Sequence, residues 1–230
     1  MKVGIMQPYF LPYIGYFQLI NAVEKYVLYD DVQFIKGGWI NRNNILVNSN
    51  KYMFNLILNG ASSNKLINEI SISSNQTKLL KTIENSYRRA PYFEAAFSLV
   101  KRIFEYKELN LAKFVGNSVC EVCHYLNLGT QIIYSSDLPK DDSLKSQEKV
   151  INICKLLGAN TYLNAIGGQK LYNKEAFKHQ NIDLLFLKSN TTHYSQFHDK
   201  FVSELSILDL IMFNSIEEIN LMLDQYEVIL

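Results

Sequence analysis

The chain opens on a short apolar run, Val3 to Met6, that breaks at Gln7, Pro8 and Pro12 and resumes from Tyr13 to Ala22. Proline fixes φ and cannot donate to a ladder, so this pattern predicts a strand, a stiff turn and a helix. Tyr26–Tyr29 predicts the next strand, closed by Asp30-Asp31. Alternation over Asn44–Leu58, with Asn-Ser-Asn at 48–50, predicts a strand or hairpin, and Ile70–Ile72 a further short strand. Periodic apolar positions then predict three helices, over Gln76–Arg88, Tyr92–Phe104 and Leu109–Leu126. Alternation returns with a strand at Gln131–Tyr134, a helix at Leu144–Leu157 stopped by Gly158, and a strand at Thr161–Asn164. A helix at Asn173–His179 and a strand at Leu184–Leu187 follow, and a helical pair, Ser206–Phe213 and Ile216–Leu223, closes the pattern. Strands alternating with helices at both ends predict an α/β fold with a mostly parallel, twisted sheet flanked by helices. The helices near 76–126 are expected as an insertion, either a cap over the site or an outer layer. Without repeats or a long linker, residues 1–230 read as a single domain.

Charge adds an exclusion. Lys and Arg total 23 against 22 Asp and Glu, a formal net charge of +1, so no overall field draws the chain to nucleic acid or an anionic membrane. Arg88-Arg89 reads as a solvated helix end. Cys120, Cys123 and Cys154 are an odd set that suits a reducing cytoplasm. Cys120-Glu-Val-Cys123-His124 spells a metal-like string, but it lies inside a helical run where both thiols share a face, and no second ligand pair accompanies it. No metal site is expected. Neither a signal peptide nor a membrane span is expected from the apolar pattern. Tyrosine is abundant, fifteen against a single tryptophan, and hydroxylated rings suit the walls of polar-ligand pockets.

In open α/β sheets the ligand crevice lies beyond the carboxyl ends of the strands, which directs attention to the residues ending each apolar run. Gln7 is a polar residue ending the first strand, beside Tyr9, Tyr13 and Tyr16 as pocket walls. Gly15 permits close approach of a ligand or backbone, and the first helix points its N–H groups at the site, which suits phosphate. Asp30 and Asp31 are the strongest acidic signal, one able to orient an amine or act as general base while the other caps a turn. Lys36, Trp39, Asn41 and Arg42 form a candidate anion-binding loop, the cations for phosphate and the indole for stacking. Gly167-Gly168 after the Thr161 strand offers backbone that can wrap a ligand, without the spacing of a dinucleotide fingerprint. His193, within Thr191–Gln196, is a candidate acid–base group. Ser206 reads as a helix N-cap, and Asp209 as a first-turn acid facing the dipole.

Met6-Gln-Pro-Tyr-Phe-Leu-Pro-Tyr-Ile-Gly-Tyr-Phe-Gln-Leu-Ile20, Tyr29-Asp-Asp-Val32 and Trp39-Ile-Asn-Arg42 resemble the WbqC-like family. Tyr162-Leu-Asn-Ala-Ile-Gly-Gly168 and Phe201-Val-Ser-Glu-Leu-Ser-Ile-Leu-Asp-Leu210 extend the resemblance along nearly the whole chain. Asn164-Ala165 stands where the family usually shows Ser-Gly. The resemblance implies a place among bacterial gene sets for O-antigen and other surface polysaccharides. More faintly, Pro12-Tyr-Ile-Gly-Tyr16 sits where nucleotidylyltransferases and pantothenate synthetase keep a His-x-Gly-His turn and bind ATP, with tyrosines here replacing both histidines. A Rossmann-like or HUP-like sheet is implied. The family does not fix the reaction; the leading expectation is an enzyme that acylates or aminoacylates the amino group of a nucleotide-linked amino sugar, with ATP/Mg or an acyl-CoA as candidate co-substrate. In that reading Asp30, Asp31 or His193 serves the amine, and Lys36, Asn41 and Arg42 take phosphate or oxyanion. Two alternatives stand beside it: a non-catalytic nucleotide-sugar-binding or partner protein of the same pathway, and a nucleotidylyltransferase-like enzyme. A homo-oligomer is compatible with each.

Overall fold

Six strands assemble the central sheet: β1 (Lys2–Met6), β2 (Lys25–Leu28), β7 (Gln131–Tyr134), β8 (Thr161–Ala165), β9 (Asp183–Ser189) and β10 (Tyr226–Ile229). The computed structural model describes residues 1–190, 193–198 and 200–230. The spatial order is β10-β9-β8-β1-β2-β7, all parallel except β10, which pairs antiparallel with β9. Counted within this sheet, the parallel strands run third, second, first, fourth, fifth from the β7 edge. The chain thus reverses direction across the sheet between β1 and β8, the switch point where doubly wound sheets open a crevice.

Side chains alternate across this sheet, and the two faces build separate cores. Val3, Ile5, Val27, Tyr162, Leu184 and Phe186 pack with α5 (Ser146–Leu156) and α6 (Lys174–Lys178). Tyr26, Leu28, Leu163 and Leu187 belong to the larger core on the other face. That core holds α1 (Ile14–Asn21), α4 (Leu111–Tyr125), α7 (Ile207–Phe213) and α8 (Ile216–Leu223). Gly116 of α4 lies directly against the Tyr134 ring, where any side chain would collide.

The expected helices near 76–126 are present as α2 (Thr77–Tyr87), α3 (Phe93–Glu105) and α4. They form a layer rather than standing free: α3 packs on α4 and α7, and α2 on α3 and on β3 (Arg42–Val47). β3 pairs with β4 (Asn50–Asn55) across Asn48 and Ser49, both at positive φ (48° and 64°), the twist a two-residue hairpin turn requires. β5 (Leu58–Asn59) and β6 (Ser71–Ile72) form a second small ladder. Gly158, at φ 71°, ends α5 as its position in the sequence predicts. One expectation is corrected. The helical pair does not close the chain, because β10 follows it and extends the sheet. With Glu227 and Val228 exposed in so short a strand, β10 carries no apolar face to announce it. Among the described residues, no helix is long and apolar enough to cross a membrane.

Candidate functional site

The turn after β1 is clamped rather than merely stiff. Leu11, at φ 46°, presents its carbonyl to Asn43 Nδ2 (2.8 Å) and Ser206 Oγ (2.7 Å), while the Pro12 carbonyl accepts from Ile207 N (2.8 Å). Phe10 N donates to the Ile40 carbonyl at 3.0 Å. The Pro8–Pro12 turn is therefore gripped by β3, by the N-terminus of α7 and by the segment before β3. Gly15 explains the next step: a Cβ there would overlap the Tyr13 ring, so glycine lets that ring fold back over the first turn of α1. Tyr13 is 40% exposed.

Two clefts share Tyr13 as a wall. The first, about 300 Å³, is lined by Tyr9, Pro12, Tyr13, Trp39, Asn43, Asn44 and Glu204. The second, about 270 Å³, runs from Tyr13 and Ile14 to Ser189 and Asn190 at the carboxyl end of β9, and to Glu204, Ser206 and Ile207 entering α7. Both thus border the turn after β1, one of them reaching the β9 rim, in the region the switch-point rule indicates. Burial raises the pKa of the Tyr9 and Tyr13 hydroxyls, with Tyr13 adding to the shift at Tyr9 and Glu204 to that at Tyr13. Both stay protonated near neutral pH and serve as hydrogen-bond donors.

The acids ending β2 are placed differently. Asp30 is fully buried, and its two oxygens accept from Ser136 N (2.9 Å) and Ser136 Oγ (2.7 Å) just beyond β7. Asp31 Oδ2 sits between Lys140 Nζ (2.6 Å) and Lys149 Nζ (3.0 Å), and its carbonyl accepts a further bond from Lys149 (2.9 Å). Both ammoniums are buried, and that of Lys149 also lies 5.1 Å from the Tyr29 ring centroid. Burial pushes the Asp31 carboxyl upward, but Lys140, the Ser135 hydroxyl and Lys149 outweigh it and hold the group below the usual carboxylate range. Asp31 is consequently an anion fixed in place and a poor proton acceptor.

The remaining predicted residues divide in the same way. Trp39 is 45% exposed with the Arg42 guanidinium 5.7 Å from its ring centroid, and Lys36 is exposed nearby in sequence. Asn41 instead bridges to Leu56 through its amide and carbonyl. The Tyr16 ring lies in the core against Tyr26 and donates to the Gln7 carbonyl at 3.0 Å, so it lines neither cleft. Gly167 and Gly168 fall in a 3-10 helix, Ile166–Leu171, with Gly167 open and Gly168 against the Asn164 amide. His193 is exposed with its ring 4.8 Å from that of Phe201, while Thr191 and Thr192 before it lie outside the described residues.

Sequence reasoning missed Lys140, Lys149, Asn44 and Glu204, none of which stands in a recognisable local pattern. It also understated Asp209. That carboxylate is fully buried, accepting from Tyr87 Oη, Tyr194 Oη and Gln196 Nε2, each at 2.7 Å. Burial raises its pKa, and the three donors limit the rise. Gln196 also exchanges hydrogen bonds with Val202, so Asp209 ties the stretch leading to Glu204 onto α7.

Comparison with known proteins adds a family and little chemistry. The model of the WbqC-like protein family matches residues 7–221. Rv1507c of Mycobacterium tuberculosis, a protein itself named as uncharacterized, is 26% identical over 215 residues, covering 91% of this chain and 92% of its own. No solved structure matches.

Proposed function

Since the chain belongs to the WbqC-like protein family, we propose that it is an enzyme of bacterial surface-polysaccharide precursor synthesis that acylates the amino group of a nucleotide-linked amino sugar. The observation that carries this reading is the pair of clefts meeting at Tyr13, beside the switch point of a doubly wound sheet. A nucleotide sugar has two parts, and two adjoining clefts suit such a ligand. Phosphate suits the first N–H groups of α1, with Arg42 beside Trp39 and the exposed Lys36 as further candidate cations. Tyr9, Tyr13 and Trp39 shape the walls, whereas Gln7 lines neither cleft. In the reaction the amine nitrogen attacks an acyl carbonyl, the amide bond forms, and the donor's thiolate or phosphate leaves while the ammonium proton passes to a base. An acyl-CoA, or a carboxylic acid activated by ATP, is the donor class.

The test is a panel of nucleotides, UDP- and dTDP-amino sugars, ATP and acyl-CoA, followed by thermal unfolding and then by mass spectrometry of the product. Ligand at a hundred times its Kd adds about 2.7 kcal/mol, a readily visible shift in midpoint. Stabilisation by an amino sugar nucleotide, with mass gain at the amine when a donor is added, supports the proposal. A protein that no nucleotide sugar stabilises sinks it. Stabilisation without turnover under any donor favours a nucleotide-sugar-binding protein, a reading helped by the complete engagement of the Asp30 carboxylate.

A further inference from the structure

The first cleft contains two polar groups with hydrogen-bonding capacity left for a ligand. Asn44 is 8% exposed. Its N–H donates to Asn43 Oδ1 (2.8 Å) and its carbonyl accepts from Ser206 N (2.8 Å), so the backbone is fixed. Its side-chain amide has no hydrogen-bond partner among the described residues, yet lines the cleft. Its amide thus keeps its hydrogen-bonding capacity free for a ligand that displaces water from the cleft. Neighbouring Asn43 differs, because its amide is committed to Leu11 and to Asn44 N.

Glu204 supplies the second group. It borders both clefts and its backbone stands at φ 55°, a region that side chains other than glycine rarely adopt. Asp209 fixes the stretch just before it through Gln196 and Val202, and Ser206 two residues later is clamped to Leu11. One oxygen, Oε2, pairs with Lys51 at 3.2 Å, leaving Oε1 for another cation. The pair is solvent-exposed, with side-chain exposures of 38% and 83%, so exchanging Lys51 for a ligand's ammonium has a small cost. Trp39 and Tyr13, partly exposed rings, line the same cleft and suit a cation or the apolar face of a sugar, with Arg42 already 5.7 Å from the Trp39 ring centroid.

We infer that this cleft is the amino-sugar subsite, with Glu204 holding the ammonium, Asn44 hydrogen-bonding a ring hydroxyl and Trp39 covering the ring. The assignment rests on the proposed nucleotide-sugar reading and moves amine recognition away from Asp30 and Asp31, whose carboxylates the fold already uses. Glu204 is a binding residue for the charged amine. Its role requires the free amine and disappears for an N-acetylated or hydroxyl sugar.

Trp39 is the chain's single tryptophan, so its fluorescence reports the cleft directly. Wild type and Glu204→Gln are titrated with UDP-glucosamine, UDP-N-acetylglucosamine and UDP-glucose. The expected result is tighter binding of the amine by about tenfold over the other two, the scale of one charge-assisted hydrogen bond, and loss of that preference in Glu204→Gln. Asn44→Ala weakens all three ligands alike, since the hydroxyl is common to them. Equal affinity for the three sugars in wild type, or an amine preference that survives Glu204→Gln, overturns the subsite while leaving nucleotide-sugar binding intact. If no nucleotide sugar binds wild type, the functional proposal fails and the subsite falls with it. Glu204 is exposed, so circular dichroism of the variant separates a binding defect from misfolding.

Discussion

Two groups of polar residues lie near the carboxyl rim of this sheet, and the fold treats them oppositely. Around Asp30 and Asp31 the carboxylates are buried and paired: Ser136 meets both oxygens of one acid, and Lys140 and Lys149 meet Oδ2 of the other, whose Oδ1 alone has no hydrogen-bond partner among the described residues. Around Tyr13 the groups are open. Asn44 has an unengaged amide, Glu204 is held only by a surface lysine, and two rings face solvent. The first group joins β2 to β7 and α5. The second makes only the exposed Glu204–Lys51 link, although its residues are firmly positioned from behind. A carboxylate at a strand end therefore speaks for the fold rather than for a ligand once buried cations have neutralised its charge.

The contrast is sharpest in stability. Asp31→Ala strands two buried ammoniums and is expected to cost about 3–5 kcal/mol in urea unfolding; a loss within 1 kcal/mol, on the scale of an exposed pair, would show that the ion triad is solvated. The same carboxylate has a pH signature. Its folded pKa is lowered, so its stabilisation is complete above the unfolded value of about 3.9 and is lost as pH falls below that toward the folded value. Asp31→Asn should flatten this acid limb, and an unchanged profile would contradict the assignment. Asp209→Ala comes next, leaving two tyrosine hydroxyls and an amide without their acceptor, for a cost of about 1–3 kcal/mol. It should also loosen the Glu204 segment, read as faster amide exchange over 201–205. The smallest effects belong to the open group. Glu204→Gln and Trp39→Ala should stay within about 0.5 kcal/mol of wild type in stability, while altering ligand affinity. A large loss of stability in either would place it with the structural residues.

Much of the architecture was legible because local signals agree with the fold. Gly158 ends α5, Asn48-Ser49 turns the hairpin, and the prolines after β1 make the stiff turn that the pattern implies. β10 escaped because its four residues, the middle two exposed, carry no distinctive periodicity. At the site, sequence located the turn, Tyr13 and Trp39, since aromatic and proline residues after a strand are conspicuous. It could not tell the fate of Asp30, which depends on Ser136, 106 residues away. Nor could it raise Glu204, an ordinary surface-type residue paired to Lys51, 153 residues distant.

The position of β1 between β2 and β8 has a consequence for biogenesis. One neighbour follows it almost at once, and the other arrives only after the hairpin, the three-helix layer and β7 have been made. As the ribosome releases the chain, a half-sheet of β1, β2 and β7 can consolidate early, with one long edge of β1 unsatisfied. Tyr13 and Trp39 emerge in that half, but Glu204 joins them only after β8 and β9 have been made. A ligand of the complete cleft therefore cannot template the nascent half-sheet, and the exposed β1 edge is where chaperone dependence and misassembly should concentrate.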